Sequence, residues 1–407
     1  MNNRISRIWT LIREAENIVY NVAYKTPLEH SLSISHMLGC NIYLKLENMQ
    51  KTGAFKIRGA YFKIYRHLED AKNRGVITAS SGNHAQGVAF ASSVLGVKAT
   101  IVMPETTPIY KINATKSYGA NVILYGEVYD EAYKKAVEIA EDTKALFIHP
   151  FNDEEIIAGQ GTIGVEILSQ LGDVDAVLVP IGGGGLISGI GVALKKLKPS
   201  VKVIGVEPEV APKYYESRKA GTLLTVNIGP SLADGVLTKS VGDITFEIMN
   251  NVVDDVVKVS EDSIARAIYL LMERAKIVVE GAGALPLAAM LEGYLNNSGK
   301  KIILIVSGGN IDLTTLYRVV TRGLVAEGRV VALRLIMPDI PGQLYKALKI
   351  LYKYRCNVID VKHDRFSINI PVGHAAVDII FEVPSKSDTE KVLKELADIF
   401  QIFKLYP

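Results

Sequence analysis

The chain has 407 residues, enough for two or three domains with sizeable cores. Hydrophobic residues make up 48% and charged residues 22%, with a net charge of +3, which excludes a disordered or collagen-like chain. No long basic run supports nucleic-acid binding. The two cysteines, Cys40 and Cys356, build neither a disulfide framework nor a zinc site, so both are expected as reduced thiols in a cytoplasmic protein.

Residues 1–20, MNNRISRIWTLIREAENIVY, predict a charged amphipathic helix rather than a signal peptide. Strand candidates follow at 41–46, 75–80, 98–103, 121–125, 175–180, 202–207 and 301–307. Most are near-continuous apolar runs, the mark of parallel strands buried on both faces. Helical patterns lie between them. One has the apolar stripe Ile264, Ala267, Ile268, Leu271 and Ala275, with Ser260 as its N-cap. This alternation predicts an α/β fold with right-handed crossovers and a parallel-sheet core, and the strands are numerous enough for two lobes. The uncharged stretch Ala176 to Leu194 holds Pro180 and six glycines and is poor material for a membrane span. After Gly328 the pattern changes. Val331, Leu333 and Leu335 alternate as in a half-buried strand, and Pro341-Gly342 opens a helix. Strands through 356–362 and 377–383 follow, then a helix and a short final strand at 402–406. The order βαββα predicts a ferredoxin-like domain. The expected division is therefore two α/β lobes over 1–325 and a small domain over 326–407.

Three strand-to-helix junctions and one lysine segment carry candidate chemistry. In DAVLVPIGGGGLISG the glycines Gly182, Gly183, Gly184 and Gly185 let several backbone N–H groups converge at a helix N-terminus. That is a phosphate cradle or, alternatively, a tight packing turn. Neither GxGxxG nor a Walker A signature is present, so a coenzyme monophosphate fits better than a dinucleotide or ATP. In KLENMQKTGAFKIRGA, Lys56 lies at a helix start, where burial and the helix dipole both disfavour its charged form. A neutral amine can condense with an aldehyde; the competing reading is a solvated surface lysine. In ITASSGNHAQGVA, the N–H groups of Ser81, Gly82, Asn83 and His84 suit a substrate carboxylate, or Ser81 or Asn83 caps the helix. His84 reads as a structural hydrogen bonder. In VSGGNIDL, Ser307 either meets a ring nitrogen or caps a helix. All four loops follow strand C-termini, where open α/β sheets bind ligands.

Together TGAFKIRGA, ASSGNHAQGVA, the GGGGL run and SGGN resemble the threonine dehydratase (threonine ammonia-lyase) family of fold-type II pyridoxal-phosphate enzymes over residues 1–325. The terminal domain, with PDIPGQL at 338–344, resembles an ACT regulatory domain. The resemblance implies pyridoxal 5'-phosphate as cofactor, with Lys56 joined to it and removing the α-proton. Phe55 would pack beside the cofactor and Asn83 would bond its ring hydroxyl. Gly182 to Gly185 and Leu186 would hold its phosphate, and Ser307 would face its ring nitrogen without protonating it strongly, which favours β-elimination over transamination. Ala54 stands where a serine is common. Ser81 stands where many relatives have alanine and where serine racemases use a serine as second acid/base, so Ser81 is a second catalytic candidate. Of the racemase divalent-metal ligands, Glu207 and the Ala211 carbonyl are present, but Lys213 replaces an acidic one; no metal is expected.

The implied reaction is deamination of L-threonine to 2-oxobutanoate and ammonia, with L-serine to pyruvate as a slower reaction. A serine racemase and a non-catalytic amino-acid sensor are the alternatives. The terminal domain implies an amino-acid effector, isoleucine or valine, and the family implies a homotetramer with neither nucleic-acid nor membrane partners.

Overall fold

The structure, a computed structural model, describes residues 3–295, 299–366 and 368–405. The chain folds as two compact units, one ending at Ile311 and the other beginning at Asp312. The predicted N-terminal helix spans Asn3–Ile18 and buries Ile5, Ile8, Leu11, Ile12 and Ala15, an i, i+3, i+4 stripe.

Strands of the first unit are β1 (Leu28–His30), β2 (Asn41–Leu46), β3 (Val76–Ala79), β4 (Ala99–Met103), β5 (Asn121–Leu124), β6 (Leu146–Phe147), β7 (Ala176–Pro180), β8 (Lys202–Pro208), β9 (Asp255–Val259) and β10 (Lys301–Val306). They form two sheets, one per lobe. The larger has the order β1-β2-β10-β7-β8-β9 and the smaller β5-β4-β3-β6. Every pairing is parallel except that of β1 with β2. The apolar runs behave as their composition requires: β3 and β7 are buried at every residue, covered on both faces. The order places β2, β10 and β7 side by side, so the loops after them emerge together at one sheet edge. No helix among the described residues is long and apolar enough to cross a membrane.

An ionic cluster lies beneath the helix Ile57–Arg66. Arg58 is wholly buried and donates to both carboxylate oxygens of Glu47 (2.8 and 2.7 Å) and both of Glu166 (2.6 and 3.2 Å), as well as to Thr162 Oγ1 and the Tyr24 carbonyl. Lys45 Nζ adds a 2.5 Å bond to Glu166, and the four charges sum to zero.

The second unit contains β11 (Val330–Pro338), β12 (Asn357–Asp364), β13 (His374–Glu382) and β14 (Gln401–Lys404) in one antiparallel sheet of order β12-β13-β11-β14. Helices Gln343–Lys353 and Lys386–Ala397 complete the ferredoxin-like βαββαβ order. Leu333, Leu335, Leu351, Val377, Ile379, Phe381 and Leu396 form its own core. The final strand was expected at 402–406; it occupies Gln401–Lys404, and Tyr406 lies outside the described residues.

Candidate active site

The lysine segment is stitched to the loop that follows β10. Phe55 N–H donates to the Ser307 carbonyl at 3.2 Å and Gly309 N–H to the Gly53 carbonyl at 2.9 Å. Ala54 bridges Gly308 between these bonds. Gly53 has φ +70°, a left-handed turn that lets the chain leave β2 and reach this loop. Lys56 then sits at the N-cap of the helix Ile57–Arg66. Its Nζ donates to the Pro150 carbonyl at 2.7 Å. Burial holds the amine at about 8 instead of 10.5, against the opposing pull of the Glu280 carboxylate.

The glycine run follows β7 directly and leads into the helix Gly185–Leu197. Gly184 turns the chain with φ +93°. A Cβ on Gly183 would lie 2.1 Å from Cγ of Phe151, and one on Gly185 would lie 3.0 Å from the Phe151 carbonyl oxygen. The loop therefore rests on Phe151 with no room for side chains between them. Thr245 Oγ1 donates to the Gly183 carbonyl at 2.7 Å and fixes the loop from the other side. Leu186 is buried behind it. Because Phe151 follows Pro150, one dipeptide supports both the lysine amine and the glycine loop.

The third loop comes from the smaller lobe. The helix Asn83–Leu95 is capped by Gly82, without a side-chain cap bond, so neither Ser81 nor Asn83 plays the capping role. Asn83 Nδ2 instead donates to Glu280 Oε1 at 2.7 Å, and Asn83 Oδ1 accepts from Asn310 Nδ2 at 2.8 Å. Glu280 is buried, and a Cβ on Gly308 would lie 2.3 Å from its Oε1. Burial first and the Asp234 charge second push the Glu280 carboxyl up to about 7, while the Asn83 amide, Lys111 and Lys56 pull the other way. Ser81 and Gly82 are half-buried at the mouth of this loop. His84 is buried, its Nε2–H donating to the Ile148 carbonyl at 2.9 Å, and burial holds it neutral. Ser307 is buried at the end of β10.

The fold thus gathers Phe55, Lys56, Asn83 and Ser307 through direct bonds among their loops, and ties the Gly182–Gly185 run to Lys56 through Pro150-Phe151. Sequence reasoning missed Pro150, Phe151, Thr245, Glu280 and Asn310. Asn310 belongs to the quoted SGGN motif, and Glu280 is a lone acid inside the apolar run 277–291, so two of the five carried a visible signal.

A family model for pyridoxal-phosphate dependent enzymes matches residues 19–308. The chain belongs to this family. An L-threonine ammonia-lyase of Thermotoga maritima is 47% identical over 95% of this chain and 96% of its own. Among solved structures, the processed form of threonine deaminase isoform 2 from Solanum lycopersicum superposes with a TM-score of 0.74 at 40% identity, covering 78% of this chain and 88% of that one. Maize serine racemase superposes with a TM-score of 0.73 at 38% identity, covering 78% and 98%. As a pyridoxal-phosphate enzyme the chain needs a carbonyl-reactive amine beside an anion cradle. The residues fit: a loop of four glycines at a helix N-terminus bears no side chains of its own, and the lysine amine linked to it through Pro150-Phe151 is held partly neutral by burial.

Proposed function

We propose that this chain is a threonine ammonia-lyase, converting L-threonine to 2-oxobutanoate and ammonia, with L-serine to pyruvate as the slower reaction. The observation that carries this reading is the depressed Lys56 amine, held by Pro150 on the same support as the glycine loop. The 47% identity to the Thermotoga maritima L-threonine ammonia-lyase over nearly the whole chain supports the substrate.

Pyridoxal phosphate, when bound, supplies the electron sink that acidifies the substrate Cα–H. The chain's own residues do the rest. The N–H groups of Gly182 to Gly185 and Leu186 would hold the phosphate, Phe55 would pack beside the ring, Asn83 would meet the ring hydroxyl and Ser307 the ring nitrogen. Ser307 carries no charge and so leaves that nitrogen weakly basic, which directs the chemistry to β-elimination. The loop Ser81–His84 receives the substrate carboxylate at a helix N-terminus. Lys56 Nζ takes the α-proton, and the Pro150 carbonyl orients it. Loss of the β-hydroxyl as water, followed by hydrolysis, returns the 2-oxo acid and ammonia. Ser81 is the candidate second acid/base and the residue that favours a racemase side activity.

In this reading residues 1–325 are the catalytic part and 326–407 an ACT-like regulatory part, in a cytoplasmic homotetramer. The terminal unit has a cleft lined by Asp339, Ile340, Gly342, His363 and Arg365 at the start of the helix Gln343–Lys353. Asp339 and Arg365 pair with each other there at 3.0 Å, beside a helix N-terminus that suits a carboxylate, and the ACT resemblance makes isoleucine or valine the proposed effector.

The test is substrate profiling of purified holoenzyme. 2-Oxobutanoate from L-threonine, lost in Lys56→Ala, is the expected result. D-serine forming from L-serine faster than pyruvate would make the chain a racemase, and tight amino-acid binding without cofactor uptake would make it a sensor. Isoleucine inhibition of the full chain that is absent in a 1–325 truncation checks the regulatory part.

A further inference from the structure

Lys213 takes no part in the site above, yet it is one of the largest fully buried side chains of the chain. Its Nζ donates to the Ile181 carbonyl at 2.9 Å and the Ala211 carbonyl at 3.2 Å, and it lies 3.3 Å from Glu207 Oε1. Glu207 is equally buried and accepts from the N–H groups of Tyr214 (3.0 Å) and Tyr215 (2.8 Å). The two carbonyls take the two N–H bonds that even a neutral amine offers, and burial disfavours the charged form. Two carbonyls and a carboxylate are also the donor set of a hard metal cation.

The resemblance to serine racemases implies a divalent ion held by Glu207 and the Ala211 carbonyl. These residues do not fit one here, because Nζ stands at the centre they share. Among the described residues no group of three His, Cys, Asp or Glu could hold a metal elsewhere. The third partner, Ile181, immediately precedes the glycine loop. Its carbonyl belongs to the same planar peptide unit as the Gly182 N–H, and in a trans peptide the two point in opposite directions. Holding the Ile181 oxygen therefore aims the Gly182 N–H.

We propose that the Lys213 amine fills a metal-type oxygen cage and locks the Ile181–Gly182 peptide, so that the phosphate loop is set without a metal ion. Lys213 is on this view a positioning residue. The inference rests on the assignment of Gly182–Gly185 to the cofactor phosphate.

The test uses holoenzyme, wild type and two variants, with the pyridoxal-phosphate dissociation constant and Mn²⁺ uptake by electron paramagnetic resonance as readouts. Wild type is expected to bind no Mn²⁺ and to keep its cofactor affinity in chelator. Lys213→Ala opens the cage: in chelator it binds the cofactor about three- to tenfold more weakly, as for one lost hydrogen bond. It then takes up Mn²⁺ and recovers affinity. Lys213→Met refills the volume without charge and shows the loss with no recovery; it carries the test alone should Lys213→Ala not fold. Mn²⁺ uptake or chelator sensitivity in wild type, or a Lys213→Met affinity within about twofold of wild type, would overturn the proposal. If the phosphate assignment itself were wrong, Gly183→Ala would also leave cofactor affinity unchanged, which separates the two failures.

Discussion

The neutral amine at position 56 can be tested without turnover. In the unfolded chain Lys56 keeps its proton up to about pH 10.5; in the fold it does so only to about 8. Between those values the unfolded chain binds more protons, so raising the pH stabilises the fold. The cost of charging the buried amine is fully present below pH 8 and gone above 10.5. At about 1.4 kcal/mol per tenfold change in proton affinity it is about 3 kcal/mol, reduced to about 2–3 because Lys56 is only half-buried. Lys56→Met removes this cost and also the bond to Pro150, worth about 1 kcal/mol.

Cofactor-free Lys56→Met should therefore be more stable than cofactor-free wild type at neutral pH by about 1–2 kcal/mol, and its advantage should vanish as the pH rises. Urea unfolding of both proteins at intervals from pH 8 to 10.5 measures the difference, and groups common to both cancel. A difference that stays flat across this range refutes the argument that burial neutralises the amine. As a second check, the rate of Lys56 modification by trinitrobenzenesulfonate should turn over near pH 8.

Gly183→Ala puts a methyl group into the Phe151 ring, and overpacking of about 1–3 kcal/mol predicts roughly 5- to 100-fold weaker cofactor binding by equilibrium dialysis. Arg58→Met leaves Glu47 and Glu166 with Lys45 as their remaining cation in the cluster; a loss of about 3–5 kcal/mol should lower the thermal midpoint by roughly 5–10 °C. Adding Glu47→Gln should recover part of that loss, and strict additivity of the two changes would show that the charges are uncoupled. Glu280 holds its proton up to about 7 in the fold, above the ordinary 4.5, so between those values its contribution falls as pH rises. Glu280→Gln should flatten this part of the stability curve in urea unfolding, and a variant curve parallel to wild type would contradict it.

The sheets were legible where strands are buried on both faces. AVLVP at β7 and KIILIV at β10 admit no polar residue beyond the first lysine of β10, because helices cover both sides. The missed strands lack that signature: β1 is three residues including Glu29 and His30, β6 is two, and β9 begins with Asp255 and carries Lys258. The site divides in the same way. Lys56 and the glycine run showed in the sequence because their chemistry depends on residue type at a fixed local place. Pro150 acts through a carbonyl, Phe151 through van der Waals contact, and Glu280 across 197 positions from Asn83, so only the fold reveals them. Lys213 was visible as a departure from a ligand set that already held Glu207 and the Ala211 carbonyl, but the Ile181 carbonyl beside its Nζ was not.

The segment 149–153 explains how the amine and the phosphate loop keep a fixed relation. His149 Nδ1 accepts from the N–H groups of Phe151 (3.2 Å) and Asn152 (2.8 Å), which requires a neutral ring. Burial ensures this by holding His149 down at about 4. Pro150 then holds Lys56, and Phe151 underlies Gly183. Asn152 Oδ1 accepts from Ile244 N–H at 3.0 Å, at the start of the helix whose Thr245 grips the Gly183 carbonyl. Asp153 caps the helix Glu154–Gln170, which carries Glu166 to Arg58, two residues beyond Lys56. The circuit closes on itself, so the lysine cannot shift against the glycine loop without breaking bonds in this segment. Substitutions there should accordingly lower cofactor affinity and turnover together, whereas Gly82→Ala, confined to the substrate-carboxylate loop and meeting nothing within 4 Å, should alter KM alone.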